Sequence, residues 1–184
     1  MSTTGHDHSA TSPVPAYARA CVEAAVLRQT PPELPADAIF RRRSGCFVTI
    51  KRDGALRGCI GTLTPNAPDL GDEIARNARA AAFRDPRFAP IGPDELPDLS
   101  YSVDVLGASE PCSIGDLDPR VYGVIVSSGA RRGVLLPDLT GIDDAEQQLT
   151  IVLQKAAIAP DEPYAIERFR VERYPEQRAP TPGD

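Results

Sequence analysis

Residues 56–62, Leu-Arg-Gly-Cys-Ile-Gly-Thr, bring together the side chains best suited to chemistry in this chain. In a strand, Arg57, Cys59 and Gly61 share one face, and a guanidinium beside a thiol favours the thiolate. Gly58 and Gly61 let a ligand or another backbone approach closely. The same residues also fit a structural interpretation, with Cys59 as a small buried side chain and the glycines as packing points. Cys59 is therefore a candidate nucleophile, and its segment is a candidate ligand site.

The only two histidines, His6 and His8, fall within a polar N-terminal stretch. A conventional Cys-His or Ser-His-Asp hydrolase needs a histidine base beside its nucleophile, and none is left for the folded part. A flexible stretch offers neither fixed geometry nor supporting hydrogen bonds for a metal ion. We therefore expect no metal site and no cofactor, and we favour a protein without catalytic activity of its own.

Composition bounds the fold and the compartment. The chain has 184 residues, of which 41% are hydrophobic and 25% charged, as expected for one globular domain. No apolar run approaches about 20 residues, so no membrane span is expected. Four cysteines without a CxxC spacing, and an N-terminus unlike a signal peptide, predict reduced thiols and a cytoplasmic location.

Charge is unevenly distributed along the chain. The formal net charge is -6, which argues against broad nucleic-acid binding. Residues 1–92 nevertheless carry twelve basic and nine acidic side chains, whereas residues 93–184 carry eight and seventeen. A nucleic-acid-binding regulatory protein that uses the basic half therefore stays open as an alternative function.

Hydrophobic periodicity and turn residues predict one domain over residues 15–174, between flexible ends at 1–14 and 175–184. Asp53-Gly54 indicates a hairpin, because both residues accept the positive φ of a type I′ turn. Asp143 with Glu146 resembles a capping box that opens a helix. The predicted elements are a helix at 15–29, a hairpin at 46–60, a helix at 69–83, a strand at 99–107, a hairpin at 122–136, a helix at 143–158 and a strand at 164–174.

The order hairpin, helix, strand occurs twice, at about residues 46–107 and 121–174. A shift of 75 residues aligns the two copies without a gap and places Arg57 on Arg132. We therefore predict an α+β fold with a mainly antiparallel, curved or barrel-like sheet and flanking helices, built from two repeats. A pseudo-twofold arrangement would bring Arg57, Arg132 and the adjacent Arg131 to one cleft suited to a small anionic ligand.

Several motifs together resemble the AMMECR-one domain family over about residues 16–174. They are Gly45-Cys46-Phe47-Val48-Thr49-Ile50, residues 56–63, Asn77, Ala80-Ala81-Ala82-Phe83, Asp85-Pro86-Arg87-Phe88, Glu95-Leu96-Pro97-Asp98-Leu99, Tyr122-Gly123-Val124-Ile125-Val126 and Arg131-Arg132-Gly133-Val134-Leu135-Leu136-Pro137. The similarity is greatest to the bacterial subfamily called AmmeMemoRadiSam system protein A. The family usually carries a tryptophan and a cysteine around the helix of the second repeat, and this chain reads Val152-Leu153-Gln154-Lys155 there.

The resemblance implies an α+β fold, but it does not imply a defined reaction. It implies an accessory or ligand-binding component that acts with a Memo-like protein and a radical SAM enzyme. A cysteine-dependent enzyme using Cys59 remains an alternative. The candidate ligand-binding residues are Arg57, Gly58, Cys59, Gly61, Thr62, Asn77, Arg131 and Arg132. Asn77 also fits a buried hydrogen-bonding role, and Asp85 with Arg87 fits a helix stop closed by an ion pair.

Overall fold

Three helices and eight strands are formed by residues 12–176, the part of the chain that the computed structural model describes. The helices are α1 (Pro13–Val26), α2 (Leu70–Phe83) and α3 (Ala145–Ala156). The strands are β1 (Cys46–Arg52), β2 (Ala55–Gly61), β3 (Leu99–Leu106), β4 (Glu110–Pro111), β5 (Gly123–Ser128), β6 (Arg131–Leu135), β7 (Ala165–Phe169) and β8 (Val171–Pro175). Short 3-10 helices occupy Ala38–Arg41, Pro93–Asp98 and Ile114–Asp116.

Helix α1 begins two residues before its predicted start, and its predicted end at 29 lies beyond the observed end. Helix α2 begins after Asp69, whose carboxylate accepts a hydrogen bond from the backbone N–H of Asp72 at 3.0 Å. Helix α3 is capped by Asp144 rather than by the predicted Asp143, because the Asp144 carboxylate accepts from the N–H of Gln147 at 2.7 Å. Side-chain caps therefore set the starts of both helices.

The contacts divide the described residues into two compact units, 12–105 with 173–176 and 106–172. In the first unit the strand order is β2-β1-β3-β8, and β1 pairs antiparallel with both β2 and β3. Val48, Ile50 and Val103 face a core that α1 and α2 cover. The intervening positions, which include Thr49 and Cys59, lie on the opposite face of the sheet.

The second unit repeats this arrangement with strand order β4-β7-β5-β6 and helix α3. In both units the first hairpin strand is central and the strand that follows the helix pairs on its other side. Gly58 and Gly133 mark the same close approach, because a Cβ atom on either would lie closer than 3.0 Å to a carbonyl oxygen of the covering helix. These features confirm the predicted α+β fold with two repeats.

Three details differ from the sequence predictions. The strands form two separate antiparallel sheets rather than one barrel-like sheet, because each hairpin packs against its own helix. The predicted strand at 164–174 is two strands in different sheets, with a break at Arg170. The second hairpin turns at Gly129-Ala130, one position later than the gapless alignment requires. In residues 12–176, no helix combines the length and apolarity needed to cross a bilayer.

Candidate functional site

The centre of the candidate site is the Cys59 thiol, which is half-buried on strand β2. Its Sγ lies 3.3 Å from the hydroxyl of Thr49, the residue opposite it on β1. The backbone N–H of Cys59 donates to a carboxylate oxygen of Asp85 at 2.8 Å. A carboxylate two residues beyond the end of helix α2 thus fixes the backbone of the cysteine.

Asp85 and Arg87 form the ion pair that the Asp-Pro-Arg-Phe motif predicts. The Arg87 side chain donates from Nε and Nη2 to the two Asp85 oxygens, at 2.9 and 2.7 Å. These bonds, together with the Cys59 N–H, hold the pKa of Asp85 well below its usual range. The carboxylate is only 1% exposed, whereas the Arg87 side chain is 54% exposed. A buried anion therefore positions a guanidinium at the surface.

The guanidinium that contacts Cys59 directly is that of Arg87, which was not among the predicted ligand-binding residues. Arg87 Nη2 donates to the carbonyl of Cys59 at 3.4 Å. The pKa of Arg87 is raised, chiefly by its hydrogen bonds to the Asp85 carboxylate. The Asp-Pro-Arg-Phe motif pointed to Arg87 in the sequence, but the spacing along the chain does not show that Arg87 lies near Cys59.

Arg57 occupies a β-bulge, because Ile50 pairs with Gly58 and Lys51 pairs with Leu56. Its guanidinium binds both oxygens of the Glu95 carboxylate, at 2.7 and 2.9 Å. The Arg57 side chain is 15% exposed, and its hydrogen bonds lower the pKa of Glu95 to about 2. An anionic ligand at Arg57 would have to compete with an internal carboxylate that stays ionised at neutral pH.

Thr62 and Asn77 belong to a network of hydrogen bonds under helix α2. Asn77 is 4% exposed and donates to the Cys46 carbonyl at 3.0 Å and to the Thr62 hydroxyl at 3.2 Å. Thr62 in turn donates to Glu73, a buried carboxylate that also accepts the N–H of Ala67 at 2.7 Å. The structure therefore places Asn77 in the buried hydrogen-bonding role that the sequence left open.

The glycines of the motif are explained by packing. A Cβ on Gly58 would meet the carbonyl oxygen of Ala81 in α2, and a Cβ on Gly61 would meet the Phe47 ring, both closer than 3.0 Å. No side chain larger than hydrogen fits without movement at either position. The structural interpretation of Gly58 and Gly61 thus has direct geometric support.

Arg131 and Arg132 lie in the second unit, each near a carboxylate of that unit. Arg131 pairs with Glu162 and donates to the Ala157 carbonyl at 2.7 Å. Its hydrogen bonds lower the pKa of Glu162 to about 2. Arg132 is 45% exposed and lies 3.8 Å from Glu167. The shared cleft for Arg57 and Arg132 stays a prediction.

The four cysteines differ in their access to solvent. Burial raises the pKa of Cys21 to about 11 and of Cys46 to about 12. Cys112 is half-buried, and desolvation also raises its pKa. Among residues 12–176, no group of three or more His, Cys, Asp or Glu side chains could hold a metal ion, and both histidines lie outside that range. The candidate site can thus offer a thiol, a hydroxyl and the edge of a guanidinium.

Comparison with known proteins places this geometry in a family. The AMMECR1 family model matches residues 15–179. A protein from Thermotoga maritima is 53% identical over 147 residues, which are 78% of this chain and 84% of the relative. Protein CA_C1420 from Clostridium acetobutylicum is 48% identical over 134 residues, which are 73% of this chain but only 29% of the relative.

The fold is also found in a solved structure. The crystal structure of the uncharacterized protein PH0010 from Pyrococcus horikoshii matches with a TM-score of 0.77 and 30% identity. The match covers 87% of this chain and 88% of that one. The relatives include archaeal as well as bacterial proteins. The family match spans most of the chain, and the chain therefore belongs to the AMMECR1 family.

Proposed function

We propose that this chain is an accessory, ligand-binding component that works beside a Memo-like protein and a radical SAM enzyme. Its contact site is the sheet face around Cys59, Thr49 and Arg87, where a small anionic group of a ligand or partner meets the guanidinium. The chain binds and positions that ligand or partner and catalyses no reaction of its own. Arg57, on the same strand, holds the loop that presents Arg87.

One observation carries this proposal: the half-exposed Arg87 guanidinium is anchored by a buried carboxylate and reaches the backbone carbonyl of Cys59, the residue that carries the half-buried thiol. Asp85 uses both oxygens on internal donors and fixes the orientation of Arg87. A preoriented guanidinium edge binds carboxylate or phosphate at little entropic cost. The thiol has Thr49 rather than a carboxylate or imidazole as its hydrogen-bond partner within residues 12–176. This arrangement favours binding over nucleophilic catalysis.

The accessory part of the proposal draws support from the length of one relative. The match covers only 29% of CA_C1420, so there the same fold is one part of a longer polypeptide. The module fills most of the Thermotoga maritima relative and less than a third of CA_C1420, which suits a part that works next to other proteins. The identity of the partners rests on the family resemblance.

A second candidate, a cysteine-dependent enzyme, is favoured by one observation. Cys59 is half-buried rather than enclosed, and the Arg87 guanidinium donates to its backbone carbonyl at 3.4 Å. A cation stabilises a thiolate, which is the nucleophilic form. One alkylation experiment separates the binding function from the enzymatic one.

The test is native alkylation of the purified chain with iodoacetamide at pH 7.5, followed by peptide mass spectrometry. Cys112 is the matched control, because it too is free and half-buried but lies in the second unit. Labelling rates are measured alone, with pyrophosphate, and with the purified Memo-like or radical SAM protein from the same genome. We expect a probe that occupies the site to slow labelling of Cys59 and leave Cys112 unchanged.

The outcomes are distinct. Protection of Cys59 by pyrophosphate supports the ligand site, and protection by either protein supports the accessory role. Unchanged labelling with all three additions contradicts the proposal. Labelling of Cys59 at a rate far above that of a free thiol at the same pH would favour the enzyme.

A further inference from the structure

A groove in the first unit lies away from the Cys59 site, on the side of the sheet that carries the helices. It has a volume of about 430 Å³ and is bounded by α1, by residues 28–32 and by α2. A second hollow of about 350 Å³ adjoins it and shares Arg79 and Phe83 with it. Together they follow the exposed surface of α2 from Ala75 to Arg84 over roughly 14 Å, at 1.5 Å per helical residue.

The rim of this α1–α2 groove is positively charged. Arg28 and Arg79 line the first hollow, and Arg76, Arg79 and Arg84 line the second. All four arginines are exposed, and within residues 12–176 none has a carboxylate oxygen within 4.0 Å of its guanidinium. This contrasts with Arg57 and Arg87, which bind internal carboxylates. An uncompensated basic rim in a chain of net charge -6 therefore calls for an acidic occupant.

The floor and the edges of the groove are apolar. Tyr17 and Ala24 form part of the floor, and Pro32 closes one side. Phe83 is 36% exposed at the junction of the two hollows, and Leu27, next to Arg28, is 45% exposed. Arginine and aromatic side chains around an apolar depression are the composition of protein interfaces. Nucleic-acid surfaces instead place cations along a polar groove with aromatic rings open for base stacking.

We propose that the α1–α2 groove binds an acidic segment of a partner protein that carries an apolar anchor side chain. The anchor fills the hollow between Pro32 and Phe83, and flanking Asp or Glu side chains pair with Arg28, Arg79 and Arg84. This surface shares no residue with the Cys59 site, so the inference does not rest on the proposed function.

The test is selection of a random 12-residue peptide library, displayed on phage, against the immobilised chain at 150 mM NaCl. We expect enriched peptides with two or more Asp or Glu residues around a Phe, Leu, Ile or Trp. The best synthetic peptide is then measured by fluorescence anisotropy. Arg79→Glu with Arg84→Glu should weaken its binding by about tenfold or more. Arg43→Glu with Arg120→Glu, which changes net charge equally at exposed positions elsewhere, should alter it by less than about twofold.

Each possible outcome decides the matter. Enrichment of acidic, apolar peptides whose binding depends on Arg79 and Arg84 supports the groove. No such enrichment, or equal loss in both double variants, overturns the proposal. A 20-nucleotide single strand that binds more tightly than the peptide, and loses binding with the same variant, would overturn it in favour of nucleic acid. Equal thermal unfolding midpoints of the two variants exclude loss of the fold as the cause.

Discussion

Arg57 shows how a residue with the chemistry of a ligand site can be committed to the structure. Its guanidinium makes two hydrogen bonds with Glu95 and a third, at 3.0 Å, with the Ala89 carbonyl. Both partners are in the segment between α2 and β3, where Glu95 belongs to the 3-10 helix Pro93–Asp98, so these bonds tie β2 to that segment. The same segment carries Arg87, so Arg57 acts on the candidate site by holding the segment in place. The contribution of the Arg57–Glu95 pair to the free energy of unfolding can therefore be measured without any ligand.

We predict that Glu95→Gln destabilises the protein at neutral pH, and that the effect shrinks in acid. The pKa of Glu95 falls from 4.5 to about 2 on folding. A depressed folded pKa contributes stability that is fully present above about pH 4.5 and is lost as pH falls toward 2. With the carboxylate 18% exposed, we expect a loss of roughly 1–2 kcal/mol at pH 7 and less than about half of it at pH 3. Urea unfolding of both proteins at pH 7 and pH 3 measures this loss of unfolding free energy.

The control for this prediction is Asp98→Asn. Asp98 pairs with Arg52 at 3.3 Å, and both side chains are about half exposed at 45% and 46%. An exposed pair contributes about 0–1 kcal/mol, so a small change is expected. A Glu95→Gln effect that stays constant between pH 7 and pH 3 would contradict an electrostatic origin.

At this scale, the sequence motifs were enough to select candidate residues but not to predict most of their contacts. Cys59, Arg57 and Asn77 were all selected from the motif, and each has specific partners in the structure. Glu95 lies 38 residues from Arg57, and Asp85 lies 26 residues from Cys59. Such separations are set by how β2, α2 and the following loop pack, and no local period encodes them. Hence the pairing of Asp85 with Arg87, two residues apart, was predicted, whereas that of Arg57 with Glu95 was not.

At the scale of elements, the contact between each hairpin and its helix depends on one glycine. Gly58 in β2 faces the backbone of α2, and Gly133 in β6 faces the backbone of α3. The nearest atoms to a Cβ at these positions would be the carbonyl oxygens of Ala81 and Val152. Because these oxygens belong to helix backbone, they move only with the whole helix. The repeat seen in the sequence therefore corresponds to a repeated packing contact. In each copy, a glycine in the hairpin packs against the helix that follows it.

We predict that Gly58→Ala costs about 1–3 kcal/mol, because its methyl group forces α2 away from β2. Gly133→Ala should cost a similar amount through α3. Gly92→Ala is the control, since a Cβ there meets nothing within 4 Å, and its effect should stay within about 0.5 kcal/mol. Chemical denaturation midpoints give the comparison. If Gly58→Ala and Gly92→Ala behaved alike, the close approach would not limit stability.

Hairpins and helices were predicted well, and their bounds less well. Asp53-Gly54 adopts the expected positive φ values, 49° and 80°, because the turn chemistry is local. The bulge at Arg57 and the later turn at Gly129-Ala130 were not predicted, since an added residue in a strand leaves the apolar pattern readable on both sides. The break at Arg170 was missed for a related reason: the apolar pattern continues across two strands that pair in different sheets.

At the scale of the whole molecule, the chain contains two hydrophobic cores. The first is formed by residues of α1, α2, β1 and β3, and the second by residues of β5, β6 and α3. Each core cluster lies entirely within its own compact unit. Sequence patterns predicted one domain over residues 15–174 with two related halves, and they did not predict two cores. Two cores form because each hairpin buries its apolar face against its own helix.

We predict that damage to one core stays within its unit. Leu153→Ala removes a side chain that is 3% exposed in the second core, and such truncations cost about 2–5 kcal/mol. Hydrogen exchange should then quicken in α3, β5 and β6 and keep its rate in β1, β2 and β3. Ile74→Ala, in the first core, should give the reverse pattern. Faster exchange in all strands with either variant would show one cooperative unit, and the two repeats would then share a single unfolding transition despite their separate cores.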